Sequence, residues 1–196
     1  MKNVVLSVGI LLLLIVGGFA MFYFYGTSVY DGAVTRQEGV NRAWADVQSE
    51  YQRRAELIPN LVATVKGAAE NEKDILTAVT NARAGITQAT NPGELEQHAA
   101  TLNRSIGLIF ERYPEIRSTE NFGMLQASLE GTENRVKKSR SDYNESVQEF
   151  NTYIRGFWKS KALSFVASDS DDFKKRDMFE AEAGSDKAPS VDFSKK

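Results

Sequence analysis

Between Val4 and Tyr25 no side chain carries a charge, and the run VVLSVGILLLLIVGGFAMFYFY is 22 residues long. At a helical rise it spans ~33 Å, enough for a hydrocarbon core of ~30 Å. Inside lipid every backbone group needs an internal partner, so the run predicts a helix. Tyr23 and Tyr25 close it with rings suited to a membrane–water boundary. The length of the run and its aromatic end favour an uncleaved anchor over a secretory leader, which wants a shorter apolar stretch followed by small residues.

Beyond residue 28 the apolar positions recur at helical spacing and nowhere alternate as in a half-buried strand. Val40, Trp44, Val47 and Tyr51 predict one stripe of a helix over 29–57, ending before Pro59. Leu61, Val65, Ala68, Glu72, Ile75, Val79, Ala82 and Ile86 predict a second over 60–89. Asn91-Pro92-Gly93-Glu94 reads as an N-cap, a tolerated first-turn proline and a back-reaching carboxylate, opening a third helix that runs to Arg112. Over 119–157, Phe122, Leu129, Val136, Tyr143, Phe150 and Phe157 fall at intervals of seven, a coiled-coil-like seam flanked by Thr132, Ser139 and Ser146. Short connections make neighbouring helices antiparallel. The expected fold is all-α: an N-terminal transmembrane helix (residues 1–28) followed by an up-and-down antiparallel four-helix bundle (29–160). A three-helix bundle is the alternative if Pro59 only kinks one long helix. The first bundle helix can also continue directly from the span as a stalk.

Composition changes the picture at the C-terminus. From Ser168 to Lys196 there are eight acids and six bases, with Phe173, Met178, Phe179, Val191 and Phe193 as isolated apolar residues. Residues 161–196 therefore read as a mobile tail whose apolar residues can dock on the bundle or on a partner. Past residue 30 the chain carries 23 basic and 26 acidic groups, a net of −3, which gives no electrostatic footprint for nucleic acid.

Catalytic equipment is scarce. The chain has no Cys and one His, His98, which reads as an exposed residue at the start of the third helix. A multi-histidine metal site is out of reach, and the residue three before His98 is Leu95, not the acid of a di-iron bundle. Gly17-Gly18 lies in the apolar run without a phosphate-loop pattern. No cofactor or metal is expected. Glu130 and Glu133 share one helical turn, so they do not face each other across a cleft as a glycosidase pair does.

Two constellations remain. Arg54 and Glu72 fall on apolar stripes and Glu133 lies beside the seam, so Arg53 or Arg54 with Glu72, Glu130 or Glu133 is expected to form a structural ionic layer. Tyr143-Asn144 and Phe150-Asn151 repeat an aromatic–Asn pair one heptad apart. That pair is an aromatic seam with flanking amides or, functionally, a recognition face.

The stretch YQRRAELIPNLVATVKGAAENE (51–72), the stretch EIRSTENFGMLQASLEGTENRVKKSRSDYNESVQEFNTYIRGF (115–157) and the terminal APSVDF resemble the LemA family. The resemblance covers the anchor layout and essentially the whole soluble part. It implies a bacterial membrane anchor and an antiparallel helical bundle, and no established activity. Relatives in a magnetosome membrane and beside membrane proteases suggest scaffolding or envelope maintenance. The chain departs from the family pattern at Ala68, where Tyr is usual, at Phe150, where a second Tyr precedes Asn, and at Trp158, where Pro is common. The expectation is a non-enzymatic interaction protein on the cytoplasmic membrane. It touches lipid through residues 4–25, its soluble domain lies outside the cytoplasm, and it binds a protein partner or itself. Lipid or envelope-polymer binding, or service to a membrane protease, is the alternative.

Overall fold

The computed structural model describes residues 2–63, 73–114, 120–168, 171 and 173–180. Helix α1 runs without a break from Lys2 to Ala63. It is followed by α2 (Lys73–Gln88), α3 (Pro92–Arg112), α4 (Glu120–Arg155) and α5 (Phe157–Val166). No strand occurs among the described residues.

The helix expected to stop before Pro59 instead passes through it. Proline deletes one intrahelical hydrogen bond and crowds the preceding turn. Here its ring faces solvent, while Ile58 and Val62 on either side are buried. Packing of those two residues holds the last turn helical against the local preference. The stalk reading is the one that holds, since the apolar run and the first bundle helix are a single element. Of the second expected helix, residues 73–88 are seen, and its earlier stripe positions Val65, Ala68 and Glu72 lie outside the described residues.

The bundle is antiparallel. Along α1 and α4 the partners run in opposite order: Val29 with Tyr153, Trp44 with Tyr143, Arg54 with Glu133. Helices α2 and α3 form a hairpin laid on α1, with Gln48 of α1 donating to the carbonyl of Ile86 (2.9 Å) in the last turn of α2 and to that of Ala89 (3.1 Å) just past it. Helix α3 opens as its sequence predicts: the Asn91 side chain accepts from the Glu94 N–H (3.0 Å), and Glu94 accepts from the Thr90 N–H (2.9 Å). Donation from the Thr90 N–H, and then from the Asn91 and Thr90 side chains, holds the Glu94 carboxyl below its ordinary range. His98 is half-buried rather than exposed, because its ring lies on Gly85 where any Cβ would collide with it.

The seam of α4 is buried at Leu129, Val136, Tyr143 and Phe150, while Phe122 lies outside the residues whose side chains are described. Phe157 departs from the seam and is 68% exposed. Gly156 takes φ −57°, ψ 133°, which ends α4 and rotates the chain before α5 begins. The buried hydroxyls of Thr132 and Ser139 donate to carbonyls of their own helix at 2.8 and 3.0 Å, so neither needs a cross-helix partner.

Residues expected in a mobile tail from 161 onward behave differently. Residues 161–166 complete α5, and 173–180 lie extended against the bundle.

Candidate interaction face

Tyr143-Asn144 and Phe150-Asn151 stand seven residues apart on α4, which is two turns or ~10.5 Å along the helix. Tyr143 and Phe150 point into the contact with α1 and are buried. Asn144 and Asn151, one position on, stand at the rim of the α1–α4 groove. Each grips one backbone residue of the extended segment with both ends of its amide. Asn151 Nδ2 donates to the Arg176 carbonyl (2.8 Å) and Oδ1 accepts from the Arg176 N–H (2.9 Å). Asn144 does the same to Phe179, at 3.0 and 2.8 Å. Residues 176 and 179 are three apart, and three extended residues cover ~10 Å. The helical repeat of the asparagines therefore matches the extended repeat of the strap.

These contacts are to main chain, as in strand addition, and specify conformation more than sequence. Side chains add the selectivity. The Tyr143 hydroxyl donates to the Asp177 carbonyl (3.0 Å). Phe179 is buried, stacked on Trp44 (centroids 6.0 Å apart, 20° between planes) and edge-on to Tyr143 (5.4 Å). The Arg140 guanidinium lies 4.7 Å from the Phe179 ring centre, pairs with Glu96 at 2.6 Å and donates to the Glu180 carbonyl. Nearer the anchor, Phe173 meets Tyr30 edge-on at 5.5 Å, and the Tyr30 hydroxyl donates to Asp171 (3.1 Å). That bond, more than burial, pushes the Tyr30 phenol upward; for Tyr51 and Tyr143 burial is the main cause of the same shift, opposed at Tyr51 by Arg140.

The expected ionic layer assembles only in part. Arg54 of α1 pairs with Glu133 of α4, and Lys137 approaches the same carboxylate at 3.7 Å. Arg53 is exposed and turns to Glu50 of its own helix at 3.8 Å, because it stands one residue, or about 100°, off the stripe. Glu130 is also exposed, accepting from Gln126 (3.0 Å), and Glu72 lies outside the described residues. The Arg54 side chain is 12% exposed, its Nε has no acceptor among the described residues, and burial lowers its pKa. It lines a cleft of about 800 Å³ between α1, α3 and α4, walled by Ile106, Phe110, Leu129 and Glu133. Sequence reading missed Arg135–Glu50 (3.0 Å) and Arg140–Glu96, whose partners are 85 and 44 residues apart and share no local pattern.

The arrangement defines a class of protein: a helical bundle built on an N-terminal helix long and apolar enough to cross a membrane, with its polar residues spent on holding chain segments together. Within that class the chain belongs to the LemA family, whose model matches residues 43–193. It is similar to the magnetosome proteins MamQ 1 and MamQ 2 of Paramagnetospirillum magneticum, each 22% identical over 186 residues covering 80% of this chain. The chain spans 66% of the length of these two relatives.

Proposed function

We propose that this chain is a non-enzymatic interaction protein of the bacterial envelope, held on the cytoplasmic membrane by residues 4–25. On this reading the α1–α4 groove is its binding face for an extended polypeptide. One observation carries the proposal: Asn144 and Asn151 hold the chain's own strap by its main chain at matched spacing, a mode that an identical strap from a second copy could share. That geometry supports a reading of self-association through exchanged straps, or of scaffolding of a partner bearing a similar segment. Family membership and the magnetosome relatives support a membrane-associated role.

The test uses two differently tagged full-length copies produced at native level and solubilised in mild detergent. The expected result is recovery of one copy, or of a discrete partner, with the other, and loss of that recovery in the Asn144→Ala/Asn151→Ala chain. Recovery of the isolated monomer alone sinks the proposal.

A further inference from the structure

Helix α5 lies antiparallel to α1 and points back toward the apolar run. Phe165 meets Phe22 edge-on at 5.6 Å, and Val166 fills the space over Gly26. The end of α5 thus stands level with the last turn of the uncharged run. Its inner face, Ala162 and Leu163, is buried. Its outer face exposes three large aromatics, which a solvated surface helix would bury or replace with polar residues. At ~100° per residue, Phe157, Trp158, Lys161, Ser164 and Phe165 fall within one arc of ~120°. The three aromatics on that arc are 68%, 67% and 57% exposed.

We infer that α5 is a second membrane contact, with Phe157, Trp158 and Phe165 seated in the lipid interface beside the span. The inference rests on residues 4–25 crossing the bilayer. Phe165, level with Phe22, sits three residues or ~4.5 Å inside the end of the uncharged run, and Trp158 stands ~10 Å further out along α5. That places Trp158 ~6 Å beyond the run, within a headgroup layer of roughly 5–7 Å on each side. Trp and Tyr favour this boundary, and Tyr23 and Tyr25 of α1 mark its inner edge at the end of the uncharged run. Lys161, exposed on the same arc, has a stem long enough to reach lipid phosphates. Asp171 accepts from the Ser168 N–H (2.8 Å) and from the hydroxyl of Tyr30 (3.1 Å), which stands past the end of the uncharged run, so this carboxylate lies outside the apolar span. The occupant is lipid rather than protein because the patch is continuous with the exposed apolar face of α1.

The test is tryptophan quenching in the full-length chain reconstituted into phosphatidylcholine vesicles. Trp44→Phe leaves Trp158 as the sole tryptophan. A reference chain carries Trp44→Phe, Trp158→Phe and Met124→Trp, which reports from an exposed site at the opposite end of α4. The expected result is iodide quenching of Trp158 at least roughly threefold weaker than in the reference, with strong quenching by lipids brominated near the headgroup. Equal iodide quenching at the two sites overturns the inference while leaving the span intact. A chain that does not float with the vesicles overturns the span, and this inference with it. Because the chain has no Cys, Ser164→Cys and Ser128→Cys give a second reading without touching an aromatic. A water-soluble maleimide should label the Ser128 variant and spare the Ser164 variant, and equal labelling counts against the inference.

Discussion

Asn144 and Asn151 each exchange two hydrogen bonds with one strap residue, and an alanine at either site removes the partner of that residue's N–H and C=O. Each single substitution should weaken strap docking by about 2 kcal/mol. Amide hydrogen exchange at 176–179 checks this: it should quicken more than tenfold while exchange in the core of α1 stays unchanged. Glu94 gives a pH-dependent case. Its folded pKa lies below the ordinary glutamate range, so its contribution is present above that range and disappears as pH falls through the folded pKa. The melting temperature of the Glu94→Gln chain should therefore lie below that of the parent at neutral pH, and the two should converge in acid. The capping residues were legible because Asn-Pro-Gly-Glu states its geometry locally. The Asn144–Asn151 repeat was visible as a candidate face, yet its occupant was not. A short charged segment with one Phe every few residues carries no periodicity that names its partner.

At the level of elements, α1 is read correctly from hydrophobic spacing except at Pro59, where burial of Ile58 and Val62 outweighs the proline. The split of α4 from α5 escaped sequence reading because Phe157 keeps the heptad count while Gly156 breaks the helix beneath it. Gly26 explains how closely α5 approaches: a Cβ there collides with the Val166 side chain. Gly26→Leu should detach α5 and the strap that follows, seen as new protease cleavage between 157 and 180 with the remaining helices intact. The Arg54–Glu133 pair joins α1 to α4, and its two halves are unequal. Removing Glu133 strands a mostly buried guanidinium, whereas removing Arg54 leaves a carboxylate that is one-third exposed and still near Lys137. Urea unfolding should show Glu133→Gln costing about 2–3 kcal/mol and Arg54→Met about 1 kcal/mol or less. Equal losses would mean that the cleft admits enough water to solvate Arg54.

For the whole molecule, the sequence made the long apolar N-terminal helix and the bundle plain, since a 22-residue uncharged run and four amphipathic stretches need no distant information. Orientation across the membrane is not encoded so clearly: Lys2 on one side is nearly balanced by Arg36 and Arg42 on the other. A C-terminal tag should be digested in spheroplasts whose inner membrane is intact, placing the bundle outside the cytoplasm. Protection until that membrane is lysed would reverse the orientation and move the search for partners to the cytoplasm.

The unbroken course of α1 carries a mechanical consequence. With no hinge between the apolar run and the bundle, Arg54 and its cleft stand 29 residues, or ~44 Å, beyond Tyr25 along one rod. A ligand of the cleft must meet the protein at that standoff, whereas a ligand of the strap groove meets it nearer the bilayer. The rod also fixes azimuth. Adding one residue between Tyr25 and Gly32 would turn every face of the bundle by ~100° relative to the span, while lifting it only ~1.5 Å. Any assembly in which span and bundle both touch neighbours should tolerate a whole-heptad insertion there far better than a single residue.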